Sequence, residues 1–400
     1  MAYLLLSKEF YKNPDNYELL YKQRFYSESS VHLNFRVKEN PSFFVINNEI
    51  SNKIAEVYKL SGVIKDLFND LPEVAKQSFQ QMILIEEIMI TNEIEGVSST
   101  KKEIESAIEE DKKVKMKNLD TRFIGLVNKY SSIINKQNIN LKTCENVRKL
   151  YDAFVLNEIE DKDKPDGKMF RKEIVNVISA TQKVLHKGLY PEQVIIETMQ
   201  ECLDFVNDEH NELNTLVRIA LFHYMFGYIH PFYDGNGRMS RFISSYLLSK
   251  ELELFAGLKL SCSIKNRIND YYDAFKICND DKNKGDLTPF VYTFIDFLLD
   301  SYKSLRKELK ATKFKLDFYI DKLKMITTEE KKINFLYVLL QNSLFEDDGL
   351  SVSELKTIHS IGESKIREIL REFSSKKIIT CKKISKKKLY RIDLESLEKM

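Results

Sequence analysis

The stretch that decides the fold reads His-Pro-Phe-Tyr-Asp-Gly-Asn-Gly-Arg-Met-Ser-Arg and spans residues 230–241. It contains one imidazole, one carboxylate, two arginines and two glycines that flank an asparagine. The whole chain has only 12 glycines in 400 residues, yet Gly227, Gly235 and Gly237 fall close together here. Because glycine has no Cβ, it lets the backbone come close to a ligand or a neighbouring segment. This stretch is therefore the first candidate for a ligand site.

Predicted helices on both sides of the stretch favour a phosphate group as that ligand. An amphipathic helix is predicted at 214–228, and a second helix begins at Arg238. The first N–H groups of a helix bind anions, and the preceding glycines allow a close approach. Arg238 and Arg241 lie three positions apart on the second helix and so project to one side. Their guanidinium groups are well suited to hold phosphate oxygens there.

Two further polar side chains of the stretch fit the same chemistry. Asp234 is a candidate ligand for Mg²⁺, which binds through one or two carboxylates together with substrate phosphates. His230 follows a buried helix, and an imidazole pKa ordinarily near neutrality suits a general base. Taken separately, the histidine could be a structural helix-end residue and the glycines an ordinary turn. Together they predict a phosphate site with a metal ligand and a base.

Residues 230–241 also match H-x-F-x-[D/E]-G-N-G-R-x-x-R at every fixed position, so the chain resembles the Fic family. The resemblance continues through the preceding helix, a predicted hairpin at 174–189 and a helix around 271–279, about half of the chain. It implies a mainly α-helical Fic core with a small β-hairpin flap. The implied activity is transfer of AMP from ATP to a Ser, Thr or Tyr hydroxyl of a target protein and of the chain itself. Removal of AMP, or transfer of another phosphate-containing group, is the alternative activity.

The resemblance implies a role for each polar side chain of the loop. His230 would deprotonate the target hydroxyl, and Asp234 would hold Mg²⁺ between the α- and β-phosphates. Arg238 would bind the departing pyrophosphate and Arg241 the terminal phosphate. Phe232 would anchor the loop in the core.

Further contacts with the nucleotide and the target are implied in the same way. Gly235, Asn236 and Gly237 would supply backbone amides that bind the phosphates. The resemblance also counts Asn236 among the catalytic residues, with His230 and Arg238. Tyr271 and Asn279 match positions that line the adenosine, with core-packing roles as the alternative. The flap, which holds a target segment by strand pairing, corresponds to Val175, Asn176, Val177 and Ile178.

A segment upstream of the core resembles the inhibitory helix of the same family, [S/T]-x-x-x-E-[G/N]. Residues 91–96 read TNEIEG, so that Thr91, Glu95 and Gly96 occupy the motif positions. Glu95 continues a stripe that is otherwise largely apolar at helical spacing, and a carboxylate buried there needs a partner. The resemblance supplies Arg241 as that partner, which would keep the arginine away from the terminal phosphate. In some relatives this glutamate also helps remove AMP.

The remaining sequence predicts three parts. These are an N-terminal arm with the inhibitory-helix region at 1–115, the Fic catalytic core at 116–310 and a winged-helix α+β domain at 325–400. Few glycines and only 7 prolines favour helices throughout. The first 45 residues are predicted to be an irregular arm, and 158–167 a solvated loop. Separate helices are expected at 288–309 and in the lysine-rich segment that follows.

The C-terminal part has a different pattern. Helices at 329–341, 351–360 and 362–376 precede alternating residues at 378–392, an order typical of a winged helix. Residues 349–400 include 13 basic and 7 acidic side chains. A DNA-binding regulator is therefore the alternative function, with 362–376 in the major groove and Lys386–Lys388 against phosphates. A protein-interaction module, which includes a homodimer, is the other interpretation.

Composition excludes several classes of protein. With 62 basic and 60 acidic residues, no overall field directs the chain to nucleic acid or membrane. Five scattered cysteines without a C-x-x-C pair argue against a disulfide framework or a zinc site. No signal peptide is recognisable, and no apolar run approaches the ~20 residues of a membrane span. We expect a cytoplasmic enzyme that uses ATP and Mg²⁺ and acts on a protein, whose identity the sequence does not reveal.

Overall fold

The computed structural model describes residues 3–112, 122–178, 184–252, 255, 257–346, 349–359, 361–384 and 387–399. Most of these residues are helical. The α-helices in this part of the chain are α1 (Leu6–Lys12), α2 (Pro14–Phe25), α3 (Asn48–Asn69), α4 (Glu73–Ile94), α5 (Lys101–Lys112), α6 (Ile124–Ile134), α7 (Cys144–Phe154), α8 (Glu192–Asn207), α9 (Thr215–Ile229), α10 (Asn236–Glu251), α11 (Leu260–Asn266), α12 (Ile268–Cys278), α13 (Thr288–Ile326), α14 (Glu330–Phe345), α15 (Val352–His359), α16 (Glu363–Ser375) and α17 (Leu394–Glu398).

The strands of the described residues form three separate antiparallel hairpins. Their members are β1 (Ser30–Val37) with β2 (Asn40–Val45), β3 (Asn176–Ile178) with β4 (Val184–Lys187), and β5 (Ile379–Ile384) with β6 (Lys387–Ile392). The prediction of a mainly α-helical fold with a small hairpin at 174–189 is thereby confirmed. None of the described helices is long and apolar enough to cross a membrane.

The chain divides into two compact units, residues 1–62 with 83–304, and residues 63–82 with 305–400. The first unit contains both the segment predicted to be inhibitory and the predicted catalytic loop. The predicted boundary between 115 and 116 lies outside the described residues, and the limits at 310 and 325 stay predictions.

The N-terminal segment is more regular than the sequence indicated, and the prediction of an irregular arm is wrong. It forms α1, α2 and the hairpin β1–β2. The Asn-Pro pair at 13–14 begins a helix, because the side chain of Asn13 caps α2 by accepting from the amide of Asn16 (3.3 Å) and proline suits a first helical position. The second Asn-Pro pair, at 40–41, begins β2.

The helix that precedes the catalytic loop lies at the centre of the first unit. Twelve of the fifteen residues of α9 are buried, so the helix is apolar on nearly all sides and not amphipathic as predicted. Asn214 caps its start by accepting from the amide of Leu216 (2.9 Å). Because α9 packs against both α8 and α10, the loop at 230–235 that joins α9 to α10 starts and ends on buried helices.

Helix α13 replaces the two helices predicted after residue 288. It runs without interruption for 39 residues, from Thr288 to Ile326. Its only proline, Pro289, is in the first turn, where it costs no hydrogen bond, and no glycine follows within the helix. The lysine-rich segment therefore continues the helix, since nothing in it stops helical hydrogen bonding.

The second unit has a core of its own. Helices α14, α15 and α16 precede the hairpin β5–β6, in the order that the sequence predicted. Their apolar faces meet in a cluster that includes Leu336, Leu355, Phe373 and Ile392. The assignment of these elements to the winged-helix class stays a prediction.

Candidate catalytic and phosphate-binding site

The loop after α9 turns sharply at His230. This residue caps α9 in the left-handed conformation (φ 52°, ψ 62°), and its amide donates to the carbonyl of Phe226 (3.0 Å). Two residues later, the fully buried ring of Phe232 stacks on Tyr151 with 3.7 Å between ring centroids. The loop is thereby fixed to the core, which fits the predicted anchoring role of Phe232.

The side chain of Asn236 closes the loop. Its Oδ1 accepts from the amide of Phe232 (2.9 Å), and its Nδ2 donates to the carbonyl of the same residue (2.8 Å). Gly235 between them adopts the left-handed conformation (φ 80°), which strongly favours glycine. Both polar atoms of the Asn236 side chain are thus used in hydrogen bonds within the loop. Its backbone N–H is still available to a ligand.

Helix α10 begins at this closed loop and offers an anion site. Its first helical hydrogen bond runs from the amide of Met239 to the carbonyl of Gly235 (3.0 Å). The amides of residues 236–238 therefore have no acceptor within the helix. A Cβ at Gly237 would overlap Oε1 of Glu95, so a larger residue there would require the Glu95 side chain to move. The predicted backbone nest is present as geometry, and a carboxylate lies over it.

His230 is poised in its neutral form. Burial lowers the pKa of its imidazole to about 4, and the neighbouring His186 acts in the same direction. Nδ1 lies 3.4 Å from the carbonyl of Gly227. A proton on Nδ1 satisfies this carbonyl and leaves Nε2 as the proton acceptor, the state that a general base requires.

Asp234 meets the requirements of a magnesium ligand. Its side chain is half exposed, one carboxylate oxygen accepts from the amide of Gly235 (2.5 Å), and the other is 3.8 Å from Nη2 of Arg238. No group of three or more His, Cys, Asp or Glu side chains among the described residues could hold a metal by itself. A single accessible carboxylate beside an anion nest fits Mg²⁺, because this ion takes its other ligands from phosphates and water.

The two arginines of α10 are both buried, with 1% of each side chain exposed, and they have different partners. Arg238 donates from Nη1 to Oε2 of Glu158 (3.0 Å). Glu158 lies in a short 3₁₀ helix, Leu156–Glu158, and its side chain is only 9% exposed. Placing Glu158 in a solvated loop was therefore wrong. Burial raises the pKa of Glu158, and the positive charge of Arg238 opposes this.

Arg241 contacts the end of α4. Its Nε donates to the hydroxyl of Thr91 (2.8 Å), and its Nη2 donates to the carbonyl of Thr91 (3.0 Å) and to Oε1 of Glu95 (2.8 Å). Gly96, in the left-handed conformation (φ 72°), follows directly and ends the helix. Thr91 and Glu95 of the predicted inhibitory motif thus bond to one arginine, and Gly96 follows at the end of the helix.

The two residues assigned to the adenosine are packed into the core. The hydroxyl of Tyr271 bonds to Nε2 of His223 (2.8 Å), whose Nδ1 bonds to Ser244 (2.8 Å). Asn279 accepts from the hydroxyl of Tyr224 (2.7 Å). Both side chains are at most 9% exposed, so their contact with a nucleotide stays a prediction.

The base of the predicted flap adjoins the catalytic loop. The amide of Gly188 donates to the carbonyl of Val175 (3.0 Å), and the amide of Leu189 donates to the carbonyl of Ile229 (3.1 Å). A Cβ at Gly188 would come within 3.1 Å of the Cβ of His230. Asn176, Val177 and Ile178 form β3, but the tip at 179–183 and the side chains of 177 and 178 lie outside the described residues.

One residue that sequence reasoning missed connects the flap to the loop. Arg171 is fully buried and donates hydrogen bonds to four backbone carbonyls. Two of these carbonyls are that of His230 in the loop (2.8 Å) and that of Leu189 at the base of the flap (2.8 Å). The other two are the carbonyls of Glu173 (2.6 Å) and Ile229 (3.4 Å). Nothing in the local sequence distinguishes this arginine from exposed ones, because its partners are main-chain atoms.

His186, also missed, bonds through Nε2 to the carbonyl of Tyr228 (2.6 Å). It therefore holds β4 against the last turn of α9, next to His230.

The chain is similar in sequence and in fold to known proteins. Residues 142–248 match the family model described as the Fic/DOC family. Over 99 residues the chain is 37% identical to the protein adenylyltransferase Fic of Drosophila yakuba and 36% identical to that of Drosophila melanogaster. Each match covers 24% of this chain and 18% of the relative, so the chain matches less than a fifth of these relatives. The solved structure of a Fic family protein from Desulfovibrio desulfuricans G20 shares the fold, with a TM-score of 0.55, 19% identity and coverage of 87% of this chain and 97% of that one.

Proposed function

Because residues 142–248 are a Fic domain, we propose that the protein transfers AMP from ATP to a hydroxyl side chain of a target protein and that its own helix α4 inhibits this reaction. The observation that carries the proposal is the proximity of three features in one loop and helix. These are a neutral His230, the free amides at the start of α10 and the two buried arginines. They correspond to the base, the phosphate cradle and the charge stabilisation that phosphoryl transfer requires.

The proposed reaction is an in-line displacement at the α-phosphorus of ATP. The target hydroxyl forms the new bond to phosphorus while Nε2 of His230 takes its proton. The bond from the α-phosphorus to the bridging oxygen of pyrophosphate breaks, and pyrophosphate leaves with that electron pair. Mg²⁺ held by Asp234 and the phosphates would supply charge neutralisation. The products are AMP-modified target and pyrophosphate.

The chain's own groups would stabilise the negative charge that moves towards pyrophosphate. The amides of residues 236–238 point from the start of α10, where the helix dipole also favours an anion. Arg238 supplies a buried positive charge beside them, and Arg241 would reach the terminal phosphate once α4 releases it. Backbone pairing with Val175–Ile178 would hold the target segment near His230.

Inhibition follows from the contacts of Arg241. Its Nε and Nη2 are bonded to Thr91 and Glu95, so the guanidinium edge that would grip a phosphate is already filled. The carboxylate of Glu95 also adds a negative charge above Gly237. A terminal phosphate at this position meets repulsion as well as an occupied arginine.

The position of Glu95 also favours a second activity, removal of AMP from the modified target. A carboxylate above the nest is able to accept a proton from a water that attacks the α-phosphorus. The bond from phosphorus to the target oxygen would then break, the target oxygen would take up the released proton and leave as a hydroxyl, and AMP would be the other product. The same site thus supports two different reactions, and the substrate supplied, ATP with an unmodified target or an AMP-modified target with water, decides which one is measured.

DNA binding receives less support. Helix α16, assigned to the major groove, carries Glu363, Glu368 and Glu372, and these carboxylates form ion pairs with the basic residues of the same segment. The basic charges of this helix are therefore largely compensated where DNA phosphates would lie. Lys386 of the predicted wing lies outside the described residues.

The test of the proposed transfer compares the Glu95→Gly chain with the Glu95→Gly/His230→Ala chain. With ATP labelled at the α-phosphate, the single variant should label itself and proteins of a host lysate. Loss of the base should lower this labelling by at least about 10²-fold. ATP binding should persist, because His230 makes no phosphate contact in the proposal. Equal labelling by both chains would refute the role of His230, and no labelling by either would refute AMP transfer.

A further inference from the structure

The short 3₁₀ helix at Leu156–Glu158 forms a wall behind the catalytic loop. Its neighbours Val155 and Ile159 are buried and lie against Gly235, since a Cβ there would come within 3.2 Å of Val155 and 3.7 Å of Ile159. Tyr151, at the end of α7, donates to the carbonyl of Asp234 (3.1 Å). The segment that carries Glu158 is therefore fixed to the same loop as the phosphate ligands.

Glu158 bonds only one end of the guanidinium of Arg238. Nη1 donates to Oε2 of Glu158 at 3.0 Å, whereas Nη2 is 3.8 Å from Asp234, beyond hydrogen-bond distance. Nε has no hydrogen-bond partner among the described residues, although it is buried. A buried donor of this kind is costly unless an acceptor arrives. The edge formed by Nε and Nη2 is thus left for an anion, on the side that includes Asp234.

A cavity of about 380 Å³ lies beside this pair and is lined by Glu158, Asp234 and Arg238 together with Arg122 and Asp152. Asp152 pairs with Arg148 (2.8 Å) and not with Arg238. Glu158 and Asp152 both line this cavity, but only Glu158 bonds to Arg238.

We propose that Glu158 is a positioning residue that fixes Arg238 through Nη1 and so presents its Nε–Nη2 edge to the pyrophosphate part of the nucleotide. The inference rests on the proposed function, because it takes Arg238 as a phosphate ligand. A fixed fork loses less entropy when it binds a phosphate, and the carboxylate balances a charge that is otherwise fully buried. Glu158 itself touches no phosphate.

The test measures binding of inorganic pyrophosphate with Mg²⁺ to the full chain by isothermal titration calorimetry. In the Glu95→Gly background, Glu158→Gln should weaken binding about tenfold, because an amide holds the guanidinium less firmly than a carboxylate. Glu158→Asp keeps the charge with a shorter reach and should weaken it by about threefold. Asp152→Asn is the matched control and should leave binding unchanged. Thermal unfolding of each variant is recorded beside its titration.

A double-mutant cycle separates positioning from a general loss of structure. In an Arg238→Ala chain, adding Glu158→Gln should cause no further loss, because Glu158 acts through that arginine. An equal loss in both backgrounds, unchanged binding in Glu158→Gln, or tighter binding would overturn the proposal; tighter binding would make Glu158 a competitor of the phosphate. If the glutamine variant does not fold, unchanged binding by Glu158→Asp overturns it. Pyrophosphate binding needs no transfer, so failure of the Glu95→Gly chain to transfer AMP would refute the proposed function without deciding this test.

Discussion

The two arginines of α10 lie one turn apart and are equally buried, yet the surrounding elements leave them in opposite states. Arg241 has its Nε and Nη2 bonded to Thr91 and Glu95 at the end of α4. Arg238 is bonded through Nη1 to Glu158, and its Nε has no partner among the described residues. The guanidinium edge proposed to bind phosphate is filled in Arg241 and open in Arg238.

This difference shows that the availability of an arginine depends on which of its nitrogens a neighbour occupies. Both carboxylates are 2.8–3.0 Å from their arginine, and both balance a buried charge. Glu95 bonds to Nη2, on the Nε–Nη2 edge of Arg241, whereas Glu158 bonds to Nη1, at the opposite end of Arg238. An ion pair at a catalytic site therefore inhibits or positions according to its geometry, which a count of salt bridges does not reveal.

The largest effect should come from removing each arginine in turn. Arg238→Ala should lower AMP transfer about 10³-fold in both the natural and the Glu95→Gly chain, because its phosphate contact is needed in either state. Arg241→Ala should lower transfer strongly only in the Glu95→Gly chain, where the edge has been freed. Rates of self-labelling in the four chains test this.

Equal losses from Arg241→Ala in both backgrounds would mean that Arg241 is already available and that the contrast between the arginines has no functional consequence. Circular dichroism of each chain is the folding control, since Arg238→Ala leaves Glu158 without its partner.

A smaller effect is expected from removing the groups that occupy the Nε–Nη2 edge of Arg241. Glu95→Gly should raise self-labelling by about 10- to 100-fold, because removal of the carboxylate frees Nη2 of Arg241 and lifts the negative charge above Gly237. Glu93→Gly is the matched control. Glu93 precedes Glu95 by two residues, is largely exposed and pairs with Lys265, so Glu93→Gly weakens the last turn of α4 without touching Arg241. A similar rise of self-labelling in both variants would mean that a weakened end of α4, and not the loss of the Glu95 carboxylate, causes activation.

Thr91→Val should open the edge only partly. The substitution removes the hydroxyl that accepts from Nε and keeps the carbonyl and Glu95, so one of three hydrogen bonds is lost. Losing a single bond to a charged group should raise self-labelling by about 3- to 10-fold, less than Glu95→Gly. Initial rates at a fixed ATP concentration provide the comparison, and a larger effect than that of Glu95→Gly would contradict the proposed order.

The smallest effect should be that of pH on the protonation of His230. Burial lowers the pKa of His230 to about 4. The base form of His230 is therefore present above about pH 4 and is lost only as the pH falls through that value. NMR of the imidazole, assigned with the His230→Ala chain, should detect no protonation between pH 5 and 8. A midpoint near 6.5 would show that the ring is exposed in solution.

Much of the site followed from the sequence because its residues are adjacent along the chain. The loop 230–241 carries the predicted base, the predicted metal ligand, the predicted nest and both arginines, and a loop between two helices brings such neighbours together by local geometry alone. The segment 91–96 was found because its motif is also local. The prediction that Glu158 lies in a solvated loop was wrong. The charged residues around it are typical of an exposed loop, but its partner Arg238 is 80 residues away in the sequence.

The order of residues alone determined that this chain is mainly helical, that Gly235 and Gly237 lie close together in a chain poor in glycine, and that one loop combines an imidazole, a carboxylate and two arginines. Tertiary structure decided which of those groups are free. Glu95 and Glu158 come from separate helical segments, and each approaches its arginine from a different side. Distance and direction between segments far apart in the chain depend on the packing of many buried side chains, so no local pattern encodes whether a buried charge is presented to a ligand or withheld from it.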